Sequence, residues 1–167
     1  MQRQLTRVDH VLSTIDTAMR ELSQRTSAMS GERPSPAAGH KDAELNDSER
    51  KHAGGLMRIN HTGEVCAQAL YRGQALVAKS ETTREALLQA AQEEKDHLDW
   101  CKERIDELGA HTSRLNPLFF ASSYVLGAIT GTIGDKVSLG FGHATEEGVA
   151  AHLKEHLPKL PADDRKS

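Results

Sequence analysis

The chain has 167 residues, enough for one domain with its own hydrophobic core. Its 21 basic and 24 acidic residues nearly cancel, to a net −3, and no Lys/Arg block exceeds a dipeptide, so a nucleic-acid-binding surface is not indicated. Aromatic residues are few while Ala, Leu, Glu and Gln are plentiful, a balance that favours helices over sheet.

The polar start, MQRQLTRVDH, lacks the apolar core of a secretory signal, and no export is expected. Residues 1–25 read as an N-terminal amphipathic helix, with Leu5, Val8, Leu12, Ile15, Met19 and Leu22 at three- and four-residue steps. Residues 26–47, which open TSAMSGERPSPAAGHK, read as a flexible linker. A helical domain is expected over 48–167. Its first helix spans 48–79, with Leu56, Ile59, Ala67, Leu70 and Val77 among its apolar positions. Gly54, Gly55 and Gly63 argue against it, since each costs helix stability relative to Ala. The next helix, 82–108, is the clearest: Leu87, Ala90, Ala91, Leu98, Cys101, Ile105 and Leu108 form one stripe, and Gly109 is a natural terminator. After Pro117 comes an apolar stretch, LFFASSYVLGAITGTIG, and a last helix is predicted over about 136–157, ending at Pro158. No useful length shows β-strand alternation. The two cysteines, Cys66 and Cys101, form no Cys-x-x-Cys pair and are expected to stay reduced.

Glu94 and His97 fall within the stripe of the 82–108 helix, three residues apart. Side chains at i and i+3 converge on one point, and Glu-x-x-His on an inward face is the unit that di-iron bundles use. A buried carboxylate without a partner charge or a metal is costly. Such a pair also arises by chance, and EEKDHLDW could be a solvated charge run. Two other helices repeat the theme. His61, Glu64, Gln68 and Tyr71 share one face, either a polar stripe turned inward or a solvated side. Glu146 heads a line through Val149, Ala150, Leu153 and Leu157, although an acid there could simply favour the positive end of the helix dipole. Glu147 falls to one side and is expected in solvent. Three inward acids and one imidazole suit iron or manganese better than structural zinc. Storage, oxygen activation and peroxide chemistry would look alike at this level.

RINHTGEVCAQALYRGQ (58–74) closely resembles the signature of the demethoxyubiquinone hydroxylase family. The resemblance continues in order through EEKDHLDWCKERIDELG (93–109), LNPLFFASSYVLGAITGTIGDKVSLGF (115–141) and TEEGVAAHL (145–153), and covers essentially the whole chain. It implies an all-α, ferritin-like four-helix bundle acting as a di-iron monooxygenase in ubiquinone synthesis, adding a ring hydroxyl to a methoxy-lacking quinol with O2. Carried over, Glu64 and His97 match ligands of the first iron, Glu94 the bridging glutamate and Glu146 a ligand of the second iron. Tyr71 and His152 match residues near the centre that orient ligands or pass protons. Two iron ions fill a complete site, NADH or the quinone pool supplies electrons, and no flavin is needed.

The resemblance also implies a polyprenyl quinol substrate and contact with a membrane surface. The run 117–133 is too short and broken to span a bilayer and reads either as an interfacial docking helix or as an ordinary buried one. The family reading adds a quinone channel beside Phe119, Phe120, Tyr124 and Leu126. Peripheral attachment to the cytoplasmic side of the cell membrane is expected, with other ubiquinone-biosynthesis proteins or a second copy as partners. The family carries a second Glu-x-x-His on a helix expected soon after LPADDRKS. The chain therefore reads as a fragment lacking its last core helix; a premature stop, or a genuine short form completed by a partner, are the alternatives. A non-catalytic quinone-binding or scaffolding protein with an incomplete metal site stays open beside the enzyme.

Overall fold

A computed structural model describes residues 33–167, so the expected helix over 1–25 and the first part of the linker lie outside the described residues. Helix α1, Asp47–Val77, starts where a capping box dictates. The Asn46 side chain accepts from the amides of Ser48 and Glu49, and the Glu49 carboxylate accepts from the Asn46 amide in return. Helix α2, Glu81–Glu107, is capped by the Ser80 hydroxyl and stops before Gly109, whose φ of +67° favours glycine. Helix α3, Asn116–Ile133, carries Pro117 in its first turn, where a missing N–H costs nothing. Helix α4, Asp135–His156, gives way to a short 3-10 turn, Leu157–Lys159, containing Pro158. All four follow the expected segments within one or two residues, and no strand occurs among the described residues.

Helix α1 is the shared partner: α2 packs along one side and α3 along another. Between α1 and α2, Ala67, Tyr71, Ala75, Leu87 and Ala91 form one cluster and Ala53, Met57, Ile105 and Leu108 a second. The α1–α3 seam is made by glycine. A Cβ on Gly73 would lie 2.1 Å from the Tyr124 carbonyl oxygen, and one on Gly127 would lie 2.2 Å from that of Leu70. Only hydrogen at these positions lets the two backbones touch. Helix α4 is held more lightly and buries only Ser138, Gly142 and His156. Its first residue staples the bundle, because the Asp135 carboxylate accepts the amides of Lys79 and Ser80 in the α1–α2 turn.

Two expectations need correction. Ile59 is 50% exposed, because it lines an open cavity between α1 and α4 rather than a packed interface. The stripe from Glu146 to Leu157 does not face a core. Glu146, Ala150 and Leu157 are exposed and Val149 and Leu153 half-buried, since no described helix lies over that side of α4. The described part of the linker has no regular structure but is tied down. Buried Arg104 on α2 binds Asp42 at 2.9 Å, and also Glu107 and Asp164, gathering both ends of the described chain against α2. Three carboxylates compensate a guanidinium that would be costly to bury alone.

Candidate metal centre

Glu64 comes from α1, and Glu94 and His97 come from one turn of α2. The helices bring one ligand-capable atom of each within 4.8 Å of the others. His97 Nδ1 lies 3.0 Å from Glu94 Oε2 and 3.9 Å from Glu64 Oε2. The Glu64 carboxylate is buried and that of Glu94 half-buried, while the imidazole side chain is 41% exposed. Burial and the neighbouring Glu94 push the Glu64 carboxyl up to about 9. Burial opposes ionisation of Glu94 too, but hydrogen bonds to His97 and Glu64 outweigh it and hold that carboxyl below the usual range. The bond to Glu94 in turn raises His97. Two acids that cannot both be charged cheaply share one pocket, the arrangement a bound cation relieves. An oxygen-rich donor set with one imidazole fits iron.

The polar stripe on α1 is turned inward, since His61, Glu64, Gln68 and Tyr71 are all buried. His61 serves another contact, with its Nδ1 3.3 Å from the Asn116 amide at the start of α3, and burial lowers it to about 4. The Tyr71 hydroxyl donates to Glu146 Oε1 at 2.9 Å. Burial raises the phenol far above its ordinary value, with Glu146, Glu94 and Glu64 adding to the effect. Glu146 thus bonds Tyr71, which shares the buried face of α1 with Glu64, but stands outside the three-residue cluster, and its side of α4 is open. His152 is exposed at the rim of a cavity of about 280 Å³ that also touches Ile59, Asn60, Glu64 and Val149. A second cavity, of about 400 Å³, reaches Glu64, His97 and Trp100 from beneath residues 35–40. The four residues of the expected quinone channel split between two sides of α3. Phe120 and Tyr124 stack at 6.2 Å and pack toward α1, whereas Phe119 and Leu126 face outward.

Several neighbours escaped periodicity. Buried Asp96 bonds Arg33 Nε at 2.7 Å, the Trp100 ring lies 5.2 Å from His97, and its indole N–H donates to the Arg33 carbonyl. Asp96 stands off the apolar stripe, so only its partner reveals it, and Trp100 carried the signal of standing three residues after His97. Both cysteines are free, and burial pushes the Cys101 thiol up to about 12, which leaves it unreactive. Glu147 is in solvent, as expected.

Comparison with known proteins identifies the family. The sequence model of the family described as "Ubiquinone biosynthesis protein COQ7" matches residues 51–167. The 3-demethoxyubiquinol 3-hydroxylase of Chromohalobacter salexigens is 54% identical over 167 residues, covering 100% of this chain and 78% of the relative. The protein of the same name from Pseudomonas fluorescens Pf0-1 is 55% identical over 168 residues, covering 99% of this chain and 76% of its own length. No solved structure matches. With its helical architecture and a family match over most of its length, the chain belongs to the COQ7 family of ubiquinone-biosynthesis proteins.

Proposed function

We propose that the chain is a 3-demethoxyubiquinol 3-hydroxylase whose iron is held by Glu64, Glu94, His97 and Glu146. The observation that carries this reading is the convergence of Glu64, Glu94 and His97 within 4.8 Å, in a chain whose relatives bear that name. Bound iron would supply the activation of O2 for replacing a ring hydrogen by hydroxyl, one oxygen atom going to the quinol and the other to water. The chain's own residues supply the rest. Glu64, Glu94 and His97 would hold the first iron, and Glu94 and Glu146 would contribute to the second. Tyr71 fixes Glu146 by its hydrogen bond. His152, on the rim of the cavity that reaches Glu64, is placed to exchange protons with whatever occupies it. Electrons come from NADH or the quinone pool, without a flavin.

The substrate's polyprenyl tail requires contact with a bilayer, and on this reading the chain attaches peripherally at the cytoplasmic side of the cell membrane. No helix among the described residues is long and apolar enough to cross a membrane. The test is ferrous-ion binding and turnover of the methoxy-lacking quinol by the purified chain. Glu94→Ala is expected to lower both by at least about a hundredfold, a loss of roughly 2.7 kcal/mol or more. Unchanged binding and turnover would overturn the reading. One observation favours a second reading, a quinone-binding or scaffolding role: Glu146 is exposed and stands outside the cluster. Iron-dependent hydroxylation by the chain rules that out.

A further inference from the structure

Helix α4 carries Glu146, yet too little of it is buried for apolar packing to fix its rotation. Three polar contacts with α1 do so, in antiparallel order. The Gln74 side-chain amide donates to the Ser138 carbonyl at 3.0 Å, the Tyr71 hydroxyl donates to Glu146 at 2.9 Å, and His156 Nδ1 meets Asn60 Oδ1 at 2.8 Å. Gly142 lets the helix close on the Tyr71 ring, where a Cβ would lie 3.1 Å from Cε1. Each helical residue turns about 100° and rises about 1.5 Å, so a slip of one residue would swing Glu146 off Tyr71. Beyond Glu146, the last two to three turns of α4 depend on a single polar contact with α1. That contact is well made. His156 is 4% exposed, and an amide oxygen as acceptor places the proton on Nδ1. Burial and the adjacent His152 lower the imidazole, which keeps it neutral. Asn60 stands one turn before Glu64, on the same face of α1.

We propose that Asn60 and His156 are a positioning pair that sets the rotation of α4 and so presents Glu146 to the centre formed by Glu64, Glu94 and His97. The inference rests on the reading of Glu146 as a ligand and names the residues that make it one. Asn60 lines the cavity that also touches Glu64 and His152, and neither Asn60 nor His156 belongs to the cluster itself.

The test uses the full chain and two readouts, hydrogen exchange of the α4 amides and anaerobic titration with ferrous ion. His156→Leu keeps the bulk and removes the donor, while His156→Gln keeps a donor in reach. The expected result for His156→Leu is exchange of the 143–156 amides faster by about tenfold, with α1 and α2 unchanged, and ferrous affinity lower by about 10- to 100-fold, the range typical of residues that orient ligands. His156→Gln should recover most of both. Asn60→Ala removes the acceptor without touching α4, should reproduce the effect, and carries the test if His156→Leu does not fold. Unchanged α4 exchange, unchanged ferrous affinity in a loosened α4, or failure of His156→Gln to rescue would each overturn the proposal. A wild-type chain that binds no ferrous ion would instead overturn the metal-centre reading beneath it.

Discussion

Glu64 couples the candidate centre to pH in a direction that can be worked out. Its carboxyl sits at about 9 in the folded chain, against an ordinary value of 4.5. Between those values the folded, metal-free chain keeps a proton that the unfolded chain has lost, so stability falls as pH rises through that window. His97 acts in the same direction: its raised imidazole contributes stability that is full below 6.5 and is lost as pH climbs through the folded value. Glu94, held low, contributes above 4.5 and loses that contribution only as pH falls. The melting temperature of the chelator-treated chain should therefore decline from about pH 6 to about pH 9, and Glu64→Gln should flatten the decline. A wild-type melting temperature that rises over that range would refute this account. Added ferrous ion should oppose the trend, because binding needs ionised carboxylates and a neutral imidazole. That Glu94 and His97 converge was legible in the sequence, since three-residue spacing on an apolar stripe fixes where side chains point, whereas Glu64 joins them from another helix and only the family resemblance implied it. The surroundings of Glu146 were not legible, because burial of a helix face depends on what lies opposite, which periodicity cannot supply.

At the scale of elements, Gly109, Pro117 and Pro158 made helix ends legible because breakers act within a turn, whereas the caps at Asn46 with Glu49 and at Ser80 emerge from the structure. The pairing of α1 with α3 was not legible either. Glycines that weaken a helix by propensity are what permit that crossing, and propensity alone counts only the cost. The contrast among glycines tests this. Gly127→Ala would force a methyl against the Leu70 carbonyl, and Gly73→Ala would force one against Tyr124. Each should destabilise the fold by about 1–3 kcal/mol, the range for overpacking a tight contact. Gly55→Ala meets nothing within 4 Å and should stabilise by up to about 1 kcal/mol through helix propensity. Denaturant unfolding of the three variants checks both signs. Equal effects at Gly55 and Gly127 would mean that the seam is looser than described.

At the scale of the molecule, the described residues leave one face of α3 strongly apolar. Leu118, Val125, Ile129 and Ile133 of α3 are each more than half exposed, and Val137, Leu139 and Phe141 of α4 are exposed as well. Patches of that kind on a folded chain mark a surface that meets protein or lipid. Lipid is the occupant that fits a prenylated substrate, because one surface would then both dock the chain and collect the quinol. Val125 and Ile129 lie one turn apart, 56% and 57% exposed, so replacing both by Glu should leave the bundle intact. Fully burying a side chain of this size is worth about 1.5–3 kcal/mol, and roughly half of that remains to be gained on docking. The pair should together weaken binding to phosphatidylcholine vesicles by roughly tenfold or more, measured by co-sedimentation. Turnover of a quinol carrying a long prenyl tail should fall in parallel, while turnover of a short-tailed, water-soluble analogue stays unchanged, since Val125 and Ile129 line neither cavity that reaches Glu64. Loss of activity toward both substrates would show that the substitutions reach the centre. Unchanged vesicle binding would assign the patch to a protein partner and leave the long-tailed quinol to enter by another face.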